Sequence, residues 1–235
     1  MQLFYVPELE HQDYISLGEE ESKHAIKVLR LKQGDTIHIV NGRGIIAMGR
    51  ISEITSKKCC EVQIIERNEH FGKRDYYLHI AIAPTKNMDR IEYFVEKSVE
   101  IGIDEISFII CNNSERTRIR IDRLEKIMIS AMKQSLKAYK TLINTPMEFE
   151  EFTRKYKQGG WIAHCRDYHR EVISNFSVKG KETIVLIGPE GDFSENEVQL
   201  AMQNGFRGLS LGESRLRTET AGLVACSGIY LMSCQ

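Results

Sequence analysis

Up to about residue 72 the chain alternates apolar and polar positions in short runs. Thr36-Ile-His-Ile-Val40, Ile45-Ile-Ala-Met-Gly-Arg-Ile51 and Glu61-Val-Gln-Ile-Ile65 carry the period-two pattern that predicts half-buried strands. Between the first two lies Asn41-Gly42-Arg43-Gly44, whose residue types tolerate the positive φ angles of a tight hairpin. The glycine spacing is wrong for a dinucleotide fingerprint, and no helical pattern follows it. One short helix is predicted over Glu20 to Arg30, with Ala25, Val28 and Leu29 on one side and Lys23, Lys27 and Arg30 toward solvent. Together these describe a small β-barrel-like domain.

From about residue 75 the rhythm becomes strand then helix. Tyr77 to Ala83 reads as a strand, followed by a helical period at Met88, Ile91, Val95 and Val99 that Gly102 stops. Strands at Ile106–Ile110, Trp161–Cys165, Thr183–Ile187 and Gly208–Leu211 alternate with helices through Ile121-Leu124-Met128-Ala131, Met147–Tyr156, Ser194–Asn204 and onward from about Thr218. Such alternation predicts a mainly parallel sheet covered by helices. The polar stretch His70-Phe-Gly-Lys-Arg-Asp75 marks the boundary, giving domains over 1–72 and 73–235.

Total charge adds little, because 32 Lys+Arg stand against 33 Asp+Glu. No run approaches the roughly 20 apolar residues of a bilayer span, and Glu8 and Glu10 sit where an export signal would be apolar. A soluble protein of the cytosol is expected. Cys59, Cys60, Cys111, Cys165, Cys226 and Cys234 contain no C-x-x-C pair and no Cys/His cluster, so reduced structural thiols and no metal site are expected.

Local charge says more. Arg116, Arg118, Arg120, Arg123, Lys126, Lys133, Lys137 and Lys140 face only Asp122 and Glu125 within one segment. A strip of this kind suits a phosphate backbone, though a solvated helix face would look the same. Three loops then follow strand ends: Ile187-Gly-Pro-Glu-Gly-Asp-Phe193, Leu211-Gly-Glu-Ser214 and Leu216-Arg-Thr-Glu-Thr-Ala221. Gly188, Gly191 and Gly212 admit a ligand close to the backbone, and Pro189 stiffens the first loop. That lining suits a flat polar ring such as adenine, and no triphosphate loop motif is present. Taken singly, each loop also reads as a turn into a helix, with Ser194 and Glu197 as a capping box and Thr218 or Thr220 as caps. Ala221, Ala225, Gly228 and Met232 form a mostly small stripe on the last helix, suited either to its own sheet or to a two-fold interface.

Leu186-Ile-Gly-Pro-Glu-Gly-Asp-Phe-Ser194, with Leu211-Gly and Leu216-Arg-Thr-Glu-Thr-Ala221, resembles the RsmE family of the SPOUT superfamily. His24, Val28-Leu29-Arg30, Gly34-Asp35 and Asn41-Gly42 resemble that family's N-terminal PUA-like domain, while Lys86, Lys97, Glu100, Gly102 and Gln134-Ser135 extend the likeness through the middle. The resemblance implies an S-adenosylmethionine-dependent methyltransferase acting on N3 of a uridine in bacterial small-subunit ribosomal RNA, on the assembled subunit. It also implies a PUA-like RNA-binding β-barrel, a SPOUT α/β domain with a C-terminal trefoil knot, and a homodimer. In that picture Ala163, His164, Leu186, Ile187, Gly188, Pro189, Glu190, Gly191, Leu209, Leu211, Gly212, Leu216, Thr218, Thr220 and Ala221 hold the cofactor. Ser214-Arg215 and Leu136-Lys137 depart from the family pattern.

Methyl transfer from a sulfonium to uridine N3 is an in-line displacement in which positioning dominates. Arg217 is expected to orient the uridine or a flanking phosphate, and Glu219 or Glu190 to make polar contacts near the methyl group. Lys27, Arg30, Arg43, Lys86, Arg116, Arg118, Arg120, Arg123 and Lys133 are the expected RNA contacts. Two rivals remain at this level: an RNA-binding or ribosome-assembly module without catalysis, and a small-molecule α/β enzyme.

Overall fold

The alternating runs near the start pair into one sheet made of β1 (Leu3–Tyr5), β2 (Tyr14–Leu17), β3 (Thr36–Val40), β4 (Ile46–Ser56) and β5 (Cys59–Asn68). The strands lie in the order β1-β3-β4-β5-β2, with β1 and β3 parallel and the other pairs antiparallel. This computed structural model describes residues 1–56, 59–157, 159–173 and 180–234. Register shifts along β4 and β5 let the ladder bend around a core that includes Phe4, Leu9, Ile39, Ile51 and Val62. Val40 pairs with Ile46, which leaves a hairpin loop over 41–45. Within it Gly42 and Gly44 take φ of 76° and 99°, and Asn41 Oδ1 accepts the amides of Arg43 (2.7 Å) and Ile45 (3.0 Å).

The helix expected over Glu20–Arg30 is interrupted. A short α1 (Glu19–Lys23) passes into a π-helical turn at His24–Val28, where the Leu29 amide reaches back five residues to the His24 carbonyl at 3.0 Å. The extra residue in that turn rotates the following side chains. Val28 is therefore 66% exposed, not core-facing, while Ile26 joins Leu29 against the core.

The chain divides into two compact units, Met1–Lys73 with Ile129–Lys140, and Arg74–Met128 with Thr141–Gln235. Residues 129–140, which the pattern along the sequence groups with the second domain, pack with the first. The Lys140 amide donates to Gly42 O (2.8 Å), the Gly44 amide to Ala138 O (2.9 Å), and Lys133 pairs with Glu21 (2.6 Å).

The second unit holds β6 (Tyr77–Ile82), α2 (Met88–Ile101), β7 (Glu105–Ile110), the start of α3 (Ile121–Gln134), β8 (Leu142–Ile143), β9 (Met147–Glu148), α4 (Phe149–Lys155) and β10 (Trp161–Ala163). It continues through β11 (Glu171–Val172), β12 (Glu182–Ile187), α5 (Glu195–Gln203), β13 (Arg207–Ser210) and α6 (Thr218–Ser233). The sheet order is β11-β13-β10-β12-β6-β7-β8, with β9 also pairing β7, and every pair is parallel. Continuous burial along β6 and β12 is what a parallel sheet covered on both faces requires. The expected helix from Met147 begins instead with β9, and the two-residue strands β8, β9 and β11 are too short to show a period.

Helix α6 packs on α2, β6 and β12. Thr218, Glu219, Gly222, Ala225, Cys226 and Ile229 form its buried face. The close approach is made at Gly222, where an added Cβ would lie 2.6 Å from the Phe94 ring. The sequence stripe thus meets its own unit at Ala225 and at Gly228, the latter against Ile173. Gly222→Ala should improve helix propensity by about 1 kcal/mol yet lower stability overall, by about 1–3 kcal/mol from overpacking. Denaturant unfolding that shows a gain would refute this packing.

A buried polar network ties β6 to β7 and to the segment after β8. His79 Nε2 lies 2.8 Å from Ser107 Oγ and 3.6 Å from Glu105 Oε1, Tyr77 donates to Glu105 (2.8 Å), and Asn144 donates to Glu105 and Ser107. Burial between the Phe152 and Tyr156 rings lowers the His79 pKa from 6.5 to about 4, against the opposing pull of Glu105. The unfolded chain therefore takes up a proton that the native state refuses. The resulting stability is present above pH 6.5 and is lost as pH falls toward about 4, at most about 1.4 kcal/mol per pH unit. His79→Asn should flatten stability against pH in that window by about one proton, measured by urea titrations from pH 7 to 4.

Candidate functional site

Strands β10, β12 and β13 lie side by side in parallel, with Ala163 opposite both Ile187 and Leu209. Their C-terminal ends therefore open at one edge, where open α/β sheets bind ligands. A cavity of about 560 Å³ sits there, lined by the loops that follow each strand and by the start of α6.

The first loop, after β12, turns tightly over a buried aromatic ring. Phe193 is 0% exposed, and a Cβ on Gly188 would come within 3.1 Å of it. Gly191 approaches Asn113 as closely, since its added Cβ would lie 3.1 Å from Asn113 Cβ. The Ser194–Glu197 capping box then starts α5: the Ser194 hydroxyl accepts the Glu197 amide (3.3 Å) and the Glu197 carboxylate accepts the Ser194 amide (2.8 Å). Both readings of this segment hold at once, as a helix cap and as a cavity wall. Thr218, buried at the start of α6, donates its hydroxyl to Gly188 O at 3.0 Å and joins the first loop to the third.

Of the residues singled out in the sequence, Ala163, His164, Gly188, Pro189, Glu190, Gly191, Leu209, Leu211, Gly212, Leu216, Thr218 and Ala221 line this cavity. Leu186 and Ile187 do not; they are 0% and 1% exposed inside β12 and serve the core. Thr220 is exposed, because helical geometry aims Thr218 and Ala221 one way and Thr220 the other. Glu190 lines the cavity and accepts the Lys86 amide at 3.0 Å. Glu219 instead turns beneath α2, where it lies 3.9 Å from Arg90 and keeps one carboxylate oxygen buried without a hydrogen bond. Arg217 is the exposed N-cap residue of α6, outside the cavity lining.

Cys165, Arg166, Arg170, Asp192, Glu213, Ser214 and Arg215 also line the cavity. Asp192, Glu213, Ser214 and Arg215 fall within or beside the loop motifs quoted from the sequence, whereas Cys165, Arg166 and Arg170 follow the short β10 and carry no motif signal. His164 is buried with neither ring nitrogen in a well-formed hydrogen bond, and burial lowers its pKa.

The expected RNA contacts separate by environment. In the first unit Lys27, Arg30 and Arg43 are exposed, Arg43 facing Glu10 at 3.3 Å, while Lys133 is engaged by Glu21. In the second, Arg118 and Arg120 are exposed, Arg120 near Asp122 (3.0 Å), and Arg123 reaches Glu92 (2.7 Å). Arg116 donates to Lys86 O, and Lys86 Nζ meets Glu115 at 2.9 Å. Within the strip Arg120, Arg123 and Lys133 are thus matched by local acids, while Arg118 and Lys126 are exposed, as are Lys27 and Arg30 of the first unit.

A glycine-lined cavity at the carboxyl edge of a parallel sheet, in a chain that also carries a small β unit, defines a two-domain α/β ligand-binding protein. Comparison with known proteins gives the class its name. Residues 73–230 match the family described as RNA methyltransferase domain, and residues 17–65 match the RNA methyltransferase PUA domain. The chain belongs to this RNA methyltransferase family, of the RsmE type. A relative from Buchnera aphidicola, named Ribosomal RNA small subunit methyltransferase E, is 27% identical over 98% of this chain and 92% of its own. A crystal structure of a probable rRNA-methyltransferase from Porphyromonas gingivalis is 42% identical with a TM-score of 0.91, covering 100% of this chain and 99% of that one. A Ribosomal RNA small subunit methyltransferase E from Neisseria gonorrhoeae, crystallised bound to S-adenosyl methionine, is 25% identical with a TM-score of 0.86, covering 97% and 95%.

The bond between Thr218 and Gly188 O gives a test of how the wall is held. Thr218→Val preserves shape but leaves that carbonyl without its donor, at a cost of about 1 kcal/mol. Faster amide exchange confined to 188–193 should accompany the loss; unchanged exchange there would show that the bond does not hold the loop.

Proposed function

We propose that this protein is an S-adenosylmethionine-dependent methyltransferase of small-subunit ribosomal RNA, acting on N3 of a uridine in the assembled subunit. The observation that carries the reading is the convergence of the loops after β10, β12 and β13 and of the start of α6 on one cavity at the sheet's carboxyl edge, with glycines in two of those loops. The cavity's volume lies within the range of cofactor sites, about 300–1,000 Å³. Its Gly212 has nothing within 4 Å of where a Cβ would stand, and Arg166, Arg170, Glu190 and Arg215 give the wall polar groups. These features fit a nucleoside cofactor whose adenine is read by backbone groups.

When bound, S-adenosylmethionine supplies a methyl group activated on a sulfonium. The chain's own work is to hold and orient. Gly188, Gly191, Leu209, Leu211, Gly212 and Leu216 form the binding walls, and Thr218 fixes the first loop. Glu190 lines the cavity together with the carboxylates of Asp192 and Glu213, and is the one assigned polar contact with an incoming base. Glu219 acts from behind by holding α6 to Arg90, and Arg217 at the helix start orients the uridine or a phosphate. The exposed cations Lys27, Arg30 and Arg118 supply phosphate contacts, with residues 1–72 as the PUA-like RNA-binding domain.

The same reading takes the protein as a cytosolic homodimer with a knotted C-terminus. Helix α6 supports both parts. It returns from β13 to pack on β6 and β12, and its outer side carries Tyr230 and Leu231 at 39% and 62% exposure. Among the described residues no helix is long and apolar enough to cross a membrane.

The direct test is transfer from labelled S-adenosylmethionine to purified small subunits lacking the modification, followed by nuclease digestion. Label is expected in 3-methyluridine, with RNA affinity falling as salt rises. RNA affinity without transfer would move the assignment to a binding or assembly module.

A further inference from the structure

We infer that Asp192 is a positioning residue that straps together two walls of the cofactor pocket, an inference that rests on the cofactor reading above. Asp192 holds a left-handed backbone, with φ of 62°, where glycine would be unstrained. A residue with a Cβ kept in that conformation needs compensation from its side chain. Its two carboxylate oxygens divide the work. Oδ1 accepts the Phe193 amide at 2.8 Å, which sets the turn, and Oδ2 accepts the Cys165 amide at 3.0 Å, which crosses to the loop after β10.

The crossing is reinforced on both sides. Arg166 donates from Nε and Nη2 to Phe193 O at 3.0 and 2.9 Å, while its Nε lies 3.9 Å from Asp192 Oδ2. From the opposite direction Asn113 Nδ2 donates to the Asp192 carbonyl at 2.9 Å. Strands β10 and β12 are neighbours, so their following loops would otherwise be free to splay. The carboxylate sets the separation of the walls bearing His164 on one side and Gly188 to Gly191 on the other, and Asp192 itself borders the cavity. A pocket held at fixed width binds without first ordering its loops.

The strap and the backbone strain can be separated by three substitutions. Asp192→Gly removes the strain and the strap, Asp192→Ala removes the strap and keeps the strain, and Asp192→Asn tolerates the left-handed backbone while retaining one acceptor. The Kd for S-adenosylmethionine, measured by calorimetry, should rise about tenfold in the Gly and Ala variants and less in Asn, in line with a lost charge-assisted hydrogen bond. The Tm should follow a different order, with Ala lowest and Gly near the parent protein. Kd values that track Tm across the set, or that do not move, would overturn the strap. Failure of the unsubstituted protein to bind S-adenosylmethionine would overturn the cofactor reading instead, and the Tm order would then report the strain alone.

Discussion

The in-register parallel pairing of β10, β12 and β13 is the constraint on which the site depends. Parallel strands all run the same way, so three loops distant in the chain emerge at one edge. Ala163, Ile187 and Leu209 occupy one level across the ladder, and the residues just beyond them become cavity wall. Burial of Leu186 and Ile187 on both faces anchors that level. A slip of one residue would turn their side chains to the opposite faces and misplace every loop with them.

The walls are held by a few directed bonds rather than by apolar packing alone. Thr218 to Gly188 O, Glu190 to the Lys86 amide, and Asp192 to the Cys165 amide each join segments from different strand ends. Phe193 supplies the apolar floor under Gly188, and without a Cβ there the loop settles directly on the ring. The cavity walls are therefore cross-linked at several strand ends by directed bonds. Glu190 and Glu219 share a residue type yet differ in environment, the first exposed on the cavity lining and the second buried beside Arg90.

A comparable division runs through the charged segment. Read along the chain, eight cations from Arg116 to Lys140 form one strip. Folding breaks it up: Arg116 turns to a backbone carbonyl, Arg123 to Glu92, and Lys133 to Glu21, leaving fewer cations open to a phosphate. Surface pairs of this kind contribute little stability, about 0–1 kcal/mol each. Arg120 and Arg123 remain exposed despite these pairings.

Sequence alone determined the alternation of strand and helix, the hairpin at Asn41–Gly44, the capping box at Ser194, and the three loops that line the cavity, because each rests on local period or local backbone chemistry. Strands of two residues left no periodic trace, and the π-helical turn at His24–Val28 reversed the expected placement of Val28. Tertiary structure decided the rest. It turned Glu219 away from the cavity, buried Leu186 and Ile187, brought Asp192 to Cys165, and grouped residues 129–140 with the N-terminal unit. These are contacts between residues far apart in the chain, and the direction of a side chain at such a contact depends on strand register and helix rotation that no local pattern encodes.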